Sequence, residues 1–314
     1  MNMNLRPKDN TRLYGMKFFF NEIIGLYNND KMPTKILLTG KKGLGKSTLA
    51  YHIVNYILSQ KEEFNYDINN NEINENNKSF KLLKNNSHPN FYLVDLKEEK
   101  KTIDISQIRE MISFTNKSSF NNLSKLILID NIDYLNKNSI NSLLKILEEP
   151  NKNIFFILIQ NNEKYILPTL RSRCLNFKIF FTFEDSVKIT NNIIKKDIFD
   201  LIDQNLINYY NTPGELISLI NFSLDNKINL KNYTIKEFLN LLIDNRYYKK
   251  DKLIKNLLIS FIELFFLKEY KDTLTKNSLL NIYHSFLHKI HNIEKFNLDD
   301  ESLFMEFKSK LLNG

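Results

Sequence analysis

Four short runs in the first half of the chain are apolar on both faces: "KILLT" (Lys35 to Thr39), "FYLVDL" (Phe91 to Leu96), "LILID" (Leu126 to Asp130) and "FFILIQ" (Phe155 to Gln160). A strand buried on both sides needs that pattern, as in a parallel sheet covered by helices. Between the runs, apolar residues recur at helical spacing. In "NSINSLLKILEEP", Ile140, Leu143, Leu144 and Leu147 fall at i, i+3, i+4 and i+7 and form one apolar face, which Pro150 ends. Strand and helix in turn predict a layered α/β domain.

The stretch "EEFNYDINNNEINENNKSF", Glu62 to Phe80, is polar, rich in Asn and Glu, and has little periodicity. It is predicted to be a mobile insertion over about 61–87. Beyond about Phe180 the strand-like runs stop. "IKEFLNLLIDN", "KLIKNLLISFIELFFLKEY" and "SLLNIYHSFLHKIHNI" have helical spacing, and "NTPGE" (Asn211 to Glu215) reads as a turn that starts a helix. Three parts are expected: an α/β domain over 1–180, a small helical piece over 181–228 and a helical domain over 229–314. The last part carries more apolar surface than a free three-helix unit covers comfortably, so it is expected to mediate contacts between subunits.

Composition adds exclusions. The 314 residues suffice for two or three domains, and 42% hydrophobic with 25% charged residues is ordinary for a soluble globular chain. No apolar run approaches the roughly 20 residues that span a bilayer. The start, "MNMNLRPKDNTRLYG", lacks a secretory signal, so a cytoplasmic protein without membrane contact is expected. A single cysteine, Cys174, excludes an internal disulfide and any cysteine-rich zinc module. The net charge of +8 suits a polyanionic partner such as DNA, and equally suits a chain that is simply rich in Lys beside Asn, Ile and Phe.

Gly40-Lys41-Lys42-Gly43-Leu44-Gly45-Lys46-Ser47 matches G-x-x-x-x-G-K-[ST] in full, after a strand and before a helix, and these residues with Thr48 are expected to bind the nucleotide. The glycines let backbone N–H groups surround phosphate oxygens at a helix N-terminus. Lys46 is expected to reach the β- and γ-phosphates of ATP or ADP, and Ser47 to ligate Mg²⁺. "LILID" then supplies Asp130, a strand-end carboxylate suited to the same ion.

After the phosphate loop come, in order, "HPN" (His88 to Asn90), "IDISQIREM", "LILIDNIDYLNKNSINSLLKILEEP" and "LPTLRSRC" (Leu167 to Cys174). Together these resemble the bacterial DNA polymerase III clamp-loader family, most closely its delta-prime branch. The resemblance covers roughly residues 7 to 180; the C-terminal half is similar only in being helical and of suitable length. It implies an AAA+ module: an α/β P-loop nucleotide-binding domain with a parallel sheet, a helical lid and an all-α collar. It also implies a hetero-pentamer with other clamp-loader subunits that places a sliding clamp on primed DNA. Arg173, in the S-R-C motif, would then act in trans on a neighbour's ATP, rather than pair with a local carboxylate. Pro7, Leu13, Tyr14 and Gly15 match the family's adenine-side segment, although Tyr14 would serve equally as a packing residue. Many relatives carry a four-cysteine zinc module where this chain has the Asn-rich insertion, so zinc is not expected.

Two catalytic parts are missing from this pattern. Active relatives follow the metal-binding Asp with Glu as general base, and here Asp130 is followed by Asn131, whose amide takes no proton at neutral pH. Asp133, three positions after Asp130, is a poor substitute. Where a lid Arg is expected, "NTPGELISL" offers Gly214 and Glu215. Gln160 and Asn161 remain as amides able to sense a γ-phosphate. A nucleotide-binding clamp-loader subunit with weak or no ATPase of its own is the leading reading. The alternatives are a catalytically active gamma/tau-like or other AAA+ motor subunit, a small-molecule kinase, and a scaffold that never binds nucleotide.

Overall fold

The computed structural model describes residues 6–97, 100–148, 153–250, 252–272, 276–296 and 299–312. Each apolar run forms a strand: β1 (Lys35–Thr39), β2 (Phe91–Val94), β3 (Lys125–Ile129) and β4 (Ile154–Gln160). They are joined by β5 (Leu175–Lys178), which the apolar pattern missed. β5 lies at the sheet edge, where only Phe177 of "LNFK" is buried, so the run is not apolar throughout. The order is β2-β3-β4-β1-β5 with every pairing parallel, which brings β1 between β4 and β5.

Alternation along the strands divides the core in two. Ile36 and Leu38 of β1 join the core that includes α1 (Lys17–Asn28) and α2 (Lys46–Ser59). Leu37 joins the core that holds α4 (Ile105–Thr115), α5 (Lys137–Glu148) and Leu170 of the short α6 (Pro168–Arg171). The predicted face of α5 is the one used: Leu143 and Leu147 are buried, with Ile140 and Leu144 packed partly against them. Pro150, the expected stop, lies outside the described residues.

The Asn-rich segment is not the mobile insertion its composition suggested. Lys78–Lys84 forms a helix, α3, and Tyr66, Ile73 and Phe80 enter the first core. The Asn residues serve as turn and cap groups, so they give no periodic signal. Asn77 caps α3 by accepting from Phe80 N at 2.7 Å, and its amide donates to Phe64 O at 2.7 Å. The Glu62 carboxylate accepts from Lys78 N at 2.9 Å and from the Ser79 hydroxyl at 2.6 Å. Backbone pairing then ties the segment to the N-terminal strand-like stretch: Ile73 N donates to Thr11 O at 2.8 Å and Leu13 N to Asn71 O at 3.1 Å. Covered on its outer side by this segment, α2 is buried on every face from Leu49 to Ser59. Among the described residues, no group of three or more His, Cys, Asp or Glu is placed to hold a metal.

Two buried histidines belong to this arrangement. His52 Nε2 faces the carbonyl of Asn10 at 3.1 Å, so it carries the proton, and Nδ1 accepts from the Tyr66 hydroxyl at 2.8 Å. His88, in the HPN motif, accepts from Asn90 N through Nδ1 at 3.1 Å. The Asn90 side chain meanwhile pairs with both backbone groups of Phe120, at 2.7 and 2.8 Å, which gives this motif a structural reason. Burial lowers both histidines to about 4. The unfolded chain protonates them near 6.5, so between these values only the unfolded state takes up the protons. Stability therefore falls as pH drops from about 6.5 towards 4, by up to roughly 3 kcal/mol per histidine. Urea midpoints measured at pH 7 and pH 5 should show this loss, and His52→Gln should flatten it. An unchanged slope would remove His52 from the acid response.

Among the described residues, every regular element after Lys178 is helical: α7 (Phe183–Ile194), α8 (Pro213–Asn226), α9 (Ile235–Asp244), α10 (Tyr247–Lys250), α11 (Lys252–Asp272), α12 (Lys276–Phe296) and α13 (Glu301–Phe307), with short 3₁₀ and π turns. The chain forms two compact units. One comprises Asn4–Ile193 with Thr212–Gly214, and the other holds Ile194–Asn211 and Glu215–Gly314. The helical unit is built on aromatic rings: Phe238 meets Phe261 at 5.0 Å and Phe222 at 6.3 Å, and Phe265 meets Phe307 at 5.6 Å. No helix of the described residues is long and apolar enough to cross a membrane.

Candidate nucleotide site

The loop between β1 and α2 has the backbone its glycines predict. Gly43 and Gly45 have φ of 84° and 85°, in the left-handed region that other residues adopt only with strain. Leu44 is buried in the first core and anchors the loop, while Lys41 and Lys42 are exposed. Lys46 is buried, and its ammonium donates to the carbonyls of Gly40 at 2.9 Å and Lys41 at 2.7 Å. Burial lowers it to about 8, against the pull of Asp130, Asp133 and Glu163. A cation enclosed by carbonyls, at the head of a helix, is the chemistry that accepts a phosphate.

Ser47 Oγ donates to Asp130 Oδ2 at 2.5 Å. Burial, and then the nearby Asp95, raises Asp130 to about 6. Two hard oxygen donors, one a buried carboxylate whose charge Ser47, the Asn131 backbone and Lys46 offset only in part, fit a Mg²⁺ ion, which would favour the ionised form. Thr48, one residue on, accepts from the Asn10 amide at 3.5 Å.

The loop after β4 stands beside the phosphate loop because β4 pairs with β1, Gln160 opposite Thr39. Asp133, offered by the sequence only as a poor substitute base, is committed elsewhere. Its carboxylate accepts the backbone N–H groups of Asn161 at 2.7 Å, Glu163 at 3.1 Å and Lys164 at 3.2 Å, and so holds this loop. Glu163 in turn reaches Lys42 at 3.5 Å, linking the two loops. Asn131 is left-handed, with φ of 55°; its amide donates to Asp95 at 2.7 Å and accepts from the Asn161 amide at 2.8 Å. Sequence reading missed Asp95, although a carboxylate ending an apolar strand was a visible signal.

Leu13 is buried in the first core and Tyr14 is half-buried next to it. Gly15 lies against Ile189 of α7 with φ of 69°. Gly214, which belongs to the same compact unit as the loop, donates to Gly43 O at 2.9 Å. A Cβ on Gly214 would stand 2.7 Å from Gly43 Cα, backbone against backbone. Gly214→Ala should therefore cost about 1–3 kcal/mol and weaken nucleotide binding, read by thermal melts and calorimetry. An alanine variant with wild-type stability and affinity would show that this contact is dispensable.

Arg173 stands apart from these groups. Its guanidinium pairs with Glu148 at 2.6 Å and donates to Thr169 O at 2.7 Å, so in this chain its partners are local.

Comparison with known proteins supplies the rest. The family described as "DNA polymerase III, delta subunit" matches residues 16–181. The gamma subunit of DNA polymerase III from Buchnera aphidicola subsp. Schizaphis graminum is 30% identical over 73% of this chain and 63% of its own length. The delta' subunit of the same organism is 28% identical over 57% of this chain and 52% of its own length. The chain thus spans less than two thirds of either relative. A crystal structure of a gamma subunit-related protein from Thermotoga maritima superposes with a TM-score of 0.52 over 92% of this chain and 97% of that one, at 15% identity, a likeness of fold.

Proposed function

The chain belongs to the DNA polymerase III delta-subunit family, with gamma and delta' subunits of that polymerase as relatives, and from that premise we propose that it is a delta-prime-like clamp-loader subunit that binds ATP or ADP with Mg²⁺ and hardly hydrolyses it. Gly40 to Ser47 hold the phosphates, Ser47 and Asp130 the ion, Asn161 senses the terminal phosphate, and Leu13 and Tyr14 lie on the adenine side. When bound, Mg²⁺ supplies charge that offsets the phosphate oxygens. Arg173 acts on the nucleotide of a neighbouring subunit, residues 229–314 form the collar through which subunits associate, and the assembly loads a sliding clamp on primed DNA.

One observation carries the reading: a complete phosphate loop stands next to an amide at position 131 that is bonded at both ends. Binding groups that meet phosphate in ground and transition state alike give affinity without rate. The gamma likeness favours a second reading, an active ATPase subunit. Calorimetry with Mg²⁺ and each nucleotide, alongside phosphate release by the purified chain, separates them. Binding without turnover supports the first reading, and steady turnover the second.

A further inference from the structure

Asp95 leaves the sheet next to the phosphate site. β2 and β3 pair with Val94 opposite Ile129, and Asp130 N donates to Val94 O at 2.9 Å, so the residues that follow each strand emerge together. Asp95 Oδ1 accepts from the Asn131 amide at 2.7 Å, and Asn131 Oδ1 accepts from the Asn161 amide at 2.8 Å. An ionised carboxylate only accepts, whereas a side-chain amide donates at one end and accepts at the other. Asp95 therefore decides which end of Asn131 faces it. The Asn131 carbonyl is left for Asn161, and only the NH₂ end of Asn161 can meet it. One carboxylate thus sets the direction of two amides, either of which could otherwise be turned end for end. The second of them stands beside the phosphate loop, on a backbone that Asp133 holds at 2.7 Å.

Resting on the nucleotide-binding reading above, we propose that Asp95 is a positioning residue for the terminal phosphate of a nucleoside triphosphate. By fixing the direction of the Asn131–Asn161 pair, it keeps the Asn161 NH₂ group, which has a second N–H besides the one given to Asn131, as the donor that a terminal phosphate meets, and so sets the discrimination between tri- and diphosphate. A diphosphate, held by the phosphate loop itself, is indifferent to this direction.

The test uses the full chain and calorimetry with ATP and ADP in Mg²⁺. Asp95→Asn should weaken ATP binding about tenfold, the effect of one hydrogen bond to an anion, and change ADP binding less than about twofold. The double variant Asp95→Asn with Asn131→Asp keeps an obligate acceptor between the two amides and should recover the wild-type ATP affinity. A purely structural role would shift both nucleotides together, and the double variant would not restore the difference. Equal weakening of ATP and ADP, no change in either, or no recovery in the double variant would each overturn the proposal. A second arm needs no nucleotide. Asn131→Asp alone sets two carboxylates in contact and should lower the melting temperature, and adding Asp95→Asn should restore it. A single variant as stable as the wild type would mean that the contact does not operate. A wild-type chain that binds neither nucleotide would instead overturn the parent reading, and this inference with it.

Discussion

Lys46→Ala is expected to abolish binding of ATP and ADP by the purified chain, with affinity lost by a factor of about a hundred or more, while the fold survives. The Lys46 ammonium is buried and has two carbonyls as its hydrogen-bond partners, so it carries a positive charge that its surroundings only partly compensate. Burial lowers it to about 8, which still leaves it mostly protonated at neutral pH, and an anion alongside would hold the proton more firmly. Charge-assisted hydrogen bonds to phosphate are the strong ones, and a buried charge gives them more weight. Removing the side chain also removes a buried charge, so the cost to the fold is small, and the melting temperature should move by only a few degrees. Thermal shift and calorimetry on both proteins read the two quantities separately. Because Asn131 supplies no base, the wild-type chain alone should release phosphate at no more than a trace rate. Steady turnover by the isolated wild type that disappears in Lys46→Ala would contradict this view and favour the active-subunit reading.

The sequence displayed the sheet and the phosphate loop because both depend on short-range features. Strands buried on both faces are apolar runs, and a loop that wraps phosphate needs glycines at fixed offsets from Lys and Ser. β5 was hidden because only Phe177 of its four residues is buried, so its run is not apolar. The Asn-rich segment was misread for a related reason. Its order comes from caps, turns and a few buried rings such as Tyr66, which stacks on Phe20 with centroids 4.9 Å apart, and not from any repeating apolar position. Composition could not separate Asn77, buried as the cap of α3, from Asn residues that stand in solvent. Within the site, the P-loop set and Asp130 were legible one by one. The function of Asp133 and the contact of Asp95 with Asn131 were not, although Asp95 visibly ends an apolar strand, because each depends on which strands lie side by side. That order, β3 between β2 and β4, is a property of the sheet and is not written in any local stretch.

Arg173→Ala should leave this chain's melting temperature and its own nucleotide affinity nearly unchanged, yet reduce ATP hydrolysis at the affected site of the reconstituted loader by about a hundredfold or more. The pair with Glu148 is the reason to expect so little effect on the free subunit. It measures 2.6 Å, but the side chains are 33% and 53% exposed, and ion pairs this open to water contribute roughly 0–1 kcal/mol. A contact that weak is readily exchanged for a phosphate brought by a neighbour, where a planar guanidinium matches the oxygens and is worth far more. Glu148→Gln provides the control. It removes the local partner and keeps the arginine, so it should preserve or raise the loader's turnover while Arg173→Ala lowers it. Arg173→Lys should behave like the alanine variant, because an ammonium does not reproduce the two-pronged contact. Other sites in the assembly would continue to turn over, so the measurement is single-site hydrolysis together with the rate of clamp loading. If Arg173→Ala and Glu148→Gln change stability alike and leave both rates untouched, the guanidinium serves only its local carboxylate and has no part in a neighbour's chemistry.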